Sequence, residues 1–275
     1  MIGRLCHPVN LPMYDWPEFR SATRELETAL QSALLEALGL DPTNSAEWPA
    51  DMGLHHRWEH PGLLLGQTCG YPLTHALSGK VHVVGAPHYR ADGCSGPHYC
   101  SHLIVSKESA HETLSDLRGL RAVFNASDSQ SGMNAFRHEV AQLADGAPFF
   151  SGVAQSGSHL QSMVSVADGQ ADIASIDAVC WSLALRELPD LTGKLRSIGH
   201  TIKAPGLPYI TSAAWSPTDT DIICRTVQSV LSDAAISVSR ERLLIDGFSV
   251  LSESDYEPLL KMERSAAEKG YPELL

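Results

Sequence analysis

Apolar residues recur along this chain in two rhythms, and the switching between them predicts strands alternating with helices. Phe19, Ala22, Leu26, Ala29, Ala33 and Ala37 fall at the spacing of one helical face, and Gly39 ends the run. Before them, Asp15-Trp16-Pro17-Glu18 offers a capping aspartate, a first-turn proline and a capping-box glutamate, so the helix is expected to open there. Arg4 to Tyr14 predicts a short strand, His55 to Trp58 a second, and Leu63-Leu64-Leu65 a third, buried on both faces. That apolar run empties into Gln67-Thr68-Cys69-Gly70-Tyr71-Pro72 and a short helix, and Val81 to Val84 forms the next strand.

From residue 99 the alternation is regular. Strands are expected at 103–105, 121–125, near Val153 and at 171–176, each followed by a helix. Thr113 to Leu117 forms a short helix closed by Gly119, and later ones carry Phe136 and Val140, then Met163 and Val166. A strand from Tyr209 toward Trp215 leads to a helix beginning near Pro217, and Ser254 to Lys269 forms a last amphipathic helix. Strand-then-helix repetition of this kind predicts mostly parallel sheets with helices on their faces.

With 275 residues the chain can form one large domain or two modest lobes. A net charge of −12 argues against a nucleic-acid partner, which wants a basic stripe. It does not exclude a small anion, because backbone N–H groups can cradle one inside an acidic protein. No stretch approaches the roughly 20 apolar residues of a membrane helix. The start, Met1 to Pro8, lacks the features of a signal peptide, so the chain as written is expected in the cytoplasm, and in the periplasm only if exported in another form. Six scattered cysteines without a C-x-x-C pair read as reduced thiols, and a Cys94–Cys100 disulfide stays open for an exported chain. His55, His56 and His60 read as surface or structural histidines, and no metal or other cofactor is expected.

The chemistry concentrates where strands give way to helices, the place where open α/β sheets bind ligands. Three such junctions are rich in hydroxyls and glycine: Ser127 to Gly132, Ser156 to His159, and Gln67, Thr68 and on to Tyr71. Each can present helix N-terminal N–H groups and a hydroxyl to an oxyanion. His159 adds a ring N–H donor. Asp177 is either the N-cap of a helix or a carboxylate facing an ammonium or protonated oxygen on the ligand. Tyr14 lines the ligand cleft or packs in the core. A serine-hydrolase triad would need Ser131, His159 and Asp177 joined in space, without any Gly-x-Ser-x-Gly turn to support it.

Several of these runs together resemble a known family. They are Tyr99-Cys100-Ser101-His102-Leu103-Ile104-Val105-Ser106-Lys107, Leu114-Ser115-Asp116-Leu117-Arg118-Gly119 and Ser129-Gln130-Ser131-Gly132. Gly157-Ser158-His159 and Gly169-Gln170-Ala171-Asp172-Ile173-Ala174-Ser175-Ile176-Asp177 complete the set. In order and spacing, over about residues 60 to 215, they resemble the phosphonate-, phosphite- and phosphate-type substrate-binding proteins of ABC importers. The resemblance implies an α/β type 2 periplasmic-binding-protein fold, with mixed sheets, two lobes and two crossover strands as a hinge. It implies ligand contacts at Tyr99, Ser129, Gln130, Ser131, His159 and Asp177, with Gly132 completing the turn. Where the family has Ser-Thr-Ser-Gly this chain has Gln130 in second place, and the Gln67 to Pro72 loop also departs from the family's form.

The expected division is lobe one at 1–99 and 213–275 and lobe two at 100–212, with crossovers near 99–102 and 209–212. The expected function is non-catalytic capture of a small oxyanion in the interlobe cleft. Partners would be the ligand itself and importer permease subunits, or a cytoplasmic signalling partner if the chain is a sensor.

Overall fold

The regular alternation after residue 99 becomes a five-stranded sheet in a computed structural model that describes residues 7–275. In order across the sheet the strands are Gly152–Gln155, Arg121–Phe124, Ile173–Asp177, Ser101–Ser106 and Leu195–His200. The first three run parallel, as strand–helix–strand units require. Ser101–Ser106 lies antiparallel to both of its neighbours, so the sheet is mixed. Helices His159–Ala167 and Ala178–Glu187 follow strands of this sheet. Leu103, Val105, Phe136, Val140 and Ile173 meet Phe149 and Phe150 in one apolar core.

This sheet belongs to a unit made of Ala91–Ala204 and Tyr256–Leu275. The other unit comprises Met1–Arg90 and Pro205–Asp255. The chain therefore passes between units at 90/91 and 204/205 rather than at 99–102 and 209–212, and a third time at 255/256. Its last twenty residues do not stay with lobe one, as the sequence suggested. The reason is apolar matching: Ala266, Tyr271 and Leu274 complete the core around Phe136 and Phe149.

The first unit holds Gly66–Gln67, Tyr209–Ser212, Val81–Tyr89 and Ile245–Ser249, side by side and antiparallel throughout. Among the described residues, parallel pairing there is confined to single bridges, His7 with Leu63 and Asn10 with Gly66. Gly85 permits the long strand to pass its neighbour: at φ +152° a Cβ would lie 2.2 Å from the Ser249 carbonyl oxygen. Helices Arg20–Ala37 and Pro217–Ser232 pack together through buried Leu26, Leu30 and Leu34 and through Ile223, Val227 and Leu231.

Three local expectations fail here. Arg20–Ala37 starts later than its capping signals imply, with Phe19 at the N-cap position and Asp15 instead 3.5 Å from Arg20 in an ion pair. His55 to Trp58 is a helix, Leu54–Trp58, because residues four apart share a face and Trp58 is the one buried there. The Leu63 to Leu65 run is fully buried yet makes only an isolated bridge. Two of its carbonyls are met by side chains, Trp215 Nε1 donating to Leu63 O at 2.9 Å and Thr211 Oγ1 to Leu64 O at 2.8 Å, and the third by Asn10 N–H at 3.1 Å. The expected strand from Arg4 is only partly testable, since residues 1–6, Cys6 included, lie outside those described. No helix among the described residues is long and apolar enough to cross a membrane.

Candidate functional site

Two parallel neighbours, Arg121–Phe124 and Gly152–Gln155, end at the same edge of the sheet, so the loops after them adjoin. Ser156 N–H donates to Phe124 O and Gly157 N–H to Asn125 O, both at 2.8 Å. This stitching brings the Ser127 to Gly132 and Ser156 to His159 junctions together. In the first, Gln130–Asn134 forms a π-helical turn leading into the helix Ala135–Ala141. Its wide bond, from Asn134 N–H to Ser129 O at 3.0 Å, spans five residues. Such widened turns are uncommon and concentrate at functional sites.

The two serines of this turn do different work. Ser129 is the cap, its Oγ accepting from Gly132 N–H at 3.0 Å. Ser131 points its hydroxyl at His159, with Oγ and Nε2 2.9 Å apart. Its carbonyl is held by two buried hydroxyls, Ser101 Oγ at 3.0 Å and Ser175 Oγ at 2.7 Å. Gly132 has no room for a side chain, because a Cβ would fall 1.9 Å from Asn125 Oδ1 and 3.2 Å from His159 Cε1.

Burial pushes the His159 ring down to about 4, so it is neutral at pH 7. A neutral imidazole has one N–H, and Ser131 adds one O–H. Their mutual hydrogen bond consumes one of the two, which leaves a spare donor at this spot whichever tautomer is present. His159 Nδ1 and Asn125 Oδ1 are both buried with no hydrogen-bond partner among the described residues. Native proteins rarely leave such groups unmet, and a ligand is one way to meet them.

Acidification should report this burial. Between pH 6.5 and about 4 the unfolded chain binds a proton that the folded His159 refuses, so stability present above pH 6.5 is lost as pH falls. His60, His88 and His102 are shifted the same way, chiefly by burial, and add to the loss. The expected result is a lower melting temperature at pH 5 than at pH 7.5. His159→Gln should flatten that slope, and an unchanged slope would show that His159 is not its source.

The other expected residues divide. Gln130 is buried and its carboxamide is turned inward, accepting from Asn134 Nδ2 at 2.7 Å and donating to Met262 Sδ at 3.3 Å. The idea that this carboxamide replaces a family hydroxyl toward ligand is not what its geometry favours. Asp177 is buried and caps Ala178–Glu187, Oδ1 accepting from Val179 N–H at 2.7 Å and Cys180 N–H at 3.1 Å. His159 Nδ1 has no hydrogen-bond partner among the described residues, so no Asp177 hydrogen bond orients that ring. Tyr99 is buried at the end of the short strand His98–Tyr99.

In the other unit, Gln67 Nε2 donates to Tyr89 Oη at 3.1 Å and the Gln67 backbone carbonyl accepts from Trp58 Nε1 at 3.0 Å. Gln67 and Tyr14 line an apolar pocket of about 20 Å³ inside that unit, room for a single water. Their side chains thus serve its interior rather than its surface. Thr68 is fully buried, whereas Tyr71 is half-buried with its ring stacked on His75 at 3.9 Å. Sequence reasoning missed Asn125, Ser101 and Ser175. Asn125 could have been found, since it is the first residue after a strand that feeds the site. The two serines are revealed only by strand register.

Known proteins show the same architecture. The family described as ABC transporter, phosphonate, periplasmic substrate-binding protein matches residues 66–256. A binding-protein component of an ABC phosphonate transporter from Pseudomonas aeruginosa superposes with TM-score 0.74 at 15% identity, over 96% of this chain and 88% of that one. PhnD1 from Prochlorococcus marinus, in complex with methylphosphonate, gives 0.72 at 14% over 97% and 99%. A Xanthomonas citri protein bound to ATP gives 0.72 at 14% over 97% and 98%. No curated protein sequence matches the chain. The fold is the type 2 periplasmic-binding-protein fold. With most of its length matched, the chain belongs to the phosphonate ABC-transporter periplasmic substrate-binding protein family.

Proposed function

We propose that this protein reversibly captures a small phosphorus oxyanion, a phosphonate or phosphate ester, as the binding component of an importer, and does not transform it. The observation that carries this reading is the Ser131–His159 pair. It holds a spare donor beside Gly132, whose missing side chain lets Asn125 and His159 pack against the turn. Fixed neutral donors suit a chain whose net charge is −12, because they bind an anion without needing a basic side chain. Methylphosphonate and ATP, held by two structural relatives, share only the phosphorus oxyanion, which supports recognition of that group.

A hydrolytic reading has one observation in its favour, the 2.9 Å Ser131–His159 contact. It lacks an orienting carboxylate on His159, and a ring pushed down to about 4 is a weak general base. The periplasmic description of the family favours an exported importer component over a cytoplasmic sensor. Cell fractionation separates these two assignments.

Thermal-shift screening against methylphosphonate, phosphite, phosphate, an alkylsulfonate and acetate tests the main proposal, since a ligand of the folded state raises apparent stability. Methylphosphonate or a related phosphorus oxyanion should raise the melting temperature in a saturable way. A response only to sulfonate or carboxylate, or to none of them, would overturn it. Turnover of a chromogenic ester abolished by Ser131→Ala would establish the hydrolase instead.

A further inference from the structure

A second cluster of ligating side chains, sharing no residue with the Ser131–His159 pair, lies on the same unit. Strands Ser101–Ser106 and Leu195–His200 run antiparallel, and their register sets His102 opposite His200. The two imidazoles meet edge to face with ring centroids 4.3 Å apart. Asp92, from the segment by which the chain enters this unit, completes the group, its Oδ2 lying 3.8 Å from His200 Nε2. One nitrogen or oxygen from each residue lies within 4.8 Å of the others.

We propose that Asp92, His102 and His200 form a binding site for a divalent transition-metal ion of the zinc type. Two imidazoles and one carboxylate are a donor set suited to Zn²⁺, Co²⁺ or Ni²⁺, with a fourth position for water. Bonds of about 2.0–2.2 Å place ligand atoms roughly 3.3–3.5 Å apart around a tetrahedral ion. The cluster must therefore tighten by an ångström or so. Two of its members can move to do this, since the side chains of Asp92 and His200 are 84% and 44% exposed. The third is anchored. His102 is 2% exposed, its Nε2 lying 3.1 Å from the Asp92 carbonyl and its Nδ1 3.3 Å from Ser197 Oγ, so an ion takes the place of one contact and the other remains. Metal-binding histidines characteristically make such an outer hydrogen bond to fix tautomer and ring orientation.

The site would join the incoming segment, at Asp92, to the outgoing strand, at His200, a few residues from where the chain leaves this unit at 204/205. Its third member neighbours Ser101, which buttresses the Ser131 carbonyl. Metal binding here would stiffen the strand that supports the proposed ligand site.

The test uses the untagged full chain, freed of metal with a chelator and titrated with Co²⁺ and Zn²⁺. Co²⁺ should give a saturable visible spectrum at one ion per chain, and Zn²⁺ should displace it and raise the melting temperature. Asp92→Asn and His200→Ala change exposed side chains and so should fold. Each should weaken metal binding about tenfold or more, since losing even an outer-shell partner costs roughly 10–100-fold. His55→Ala/His56→Ala, which removes exposed histidines on another unit, should leave it unchanged. Absence of saturable binding, or binding equally strong in Asp92→Asn and His200→Ala, would overturn the proposal.

Discussion

Ser131→Ala should weaken methylphosphonate binding about ten- to a hundredfold, whereas Ser129→Ala, two residues away, should leave intrinsic affinity nearly intact. A hydrogen bond to a charged group contributes about 1.5–3 kcal/mol, and about 1.4 kcal/mol is tenfold in affinity. Ser131 carries or relays the spare donor of the Ser131–His159 pair, so its hydroxyl is the one in position to supply that bond. Ser129 Oγ is an acceptor engaged by Gly132 N–H, and losing such a cap costs about 0.5–2 kcal/mol of stability. Losing the Ser131–His159 bond costs a similar amount, about 0.5–1.5 kcal/mol, so melting curves alone do not separate the two variants. Calorimetric titration does. Equal affinity in Ser131→Ala and the parent would remove this pair from the binding site, and a large loss in Ser129→Ala would mean that the turn binds through both hydroxyls.

That contrast shows where sequence information stops. Both serines are visible in Ser129-Gln130-Ser131-Gly132 as small hydroxyls at a strand-to-helix junction. Which one caps and which one turns to His159 depends on the π turn, whose extra residue rotates the side chains that follow it. Signals closed within a few residues were readable. Thr113 and Asp116 form the capping box of the short turn Leu114–Leu117, Gly119 ends it at φ +79°, and Asp177 caps the helix it precedes. The Asp15-Trp16-Pro17-Glu18 signal was equally local and misled, because Pro12–Tyr14 forms its own 3-10 turn with Tyr14 buried and the helix waits until Arg20. Contacts that depend on register were not readable at all. His102 and His200 are almost a hundred residues apart, and only antiparallel pairing makes them neighbours. The same holds for Ser101 and Ser175, which converge on one carbonyl from adjacent strands.

The C-terminal segment is the clearest case of a legible element with an illegible partner, and it carries the largest expected effect on stability. An amphipathic helix at Ser254 to Lys269 announces an apolar face without saying what covers it. In the structure Glu257–Glu268 belongs to the unit that holds Ser131, and the five residues from Tyr271 to Leu275 clamp it there. Tyr271 and Leu274 are 2% and 8% exposed. The carbonyl of Leu275 accepts from Phe149 N–H and Phe150 N–H at 3.0 and 3.1 Å, and that of Pro272 accepts from Arg137 Nη1 at 2.6 Å. Burying a large apolar side chain contributes about 1.5–3 kcal/mol, so deleting 271–275 forfeits roughly 3–6 kcal/mol before the orphaned donors are considered. Against a typical total of about 5–15 kcal/mol this is enough to unfold the unit or leave it marginal. Binding should fail with it, since Leu259 and Met262 on the same helix hold Asn134 and Gln130 of the π turn. Urea unfolding should show the truncated chain melting far earlier than the parent. Leu274→Ala serves as the milder variant, with a loss of about 2–5 kcal/mol expected for a buried leucine. Unfolding at the parent's urea concentration in both variants would mean that the tail contributes nothing to the core, and that the helix Glu257–Glu268 holds its place without the clamp.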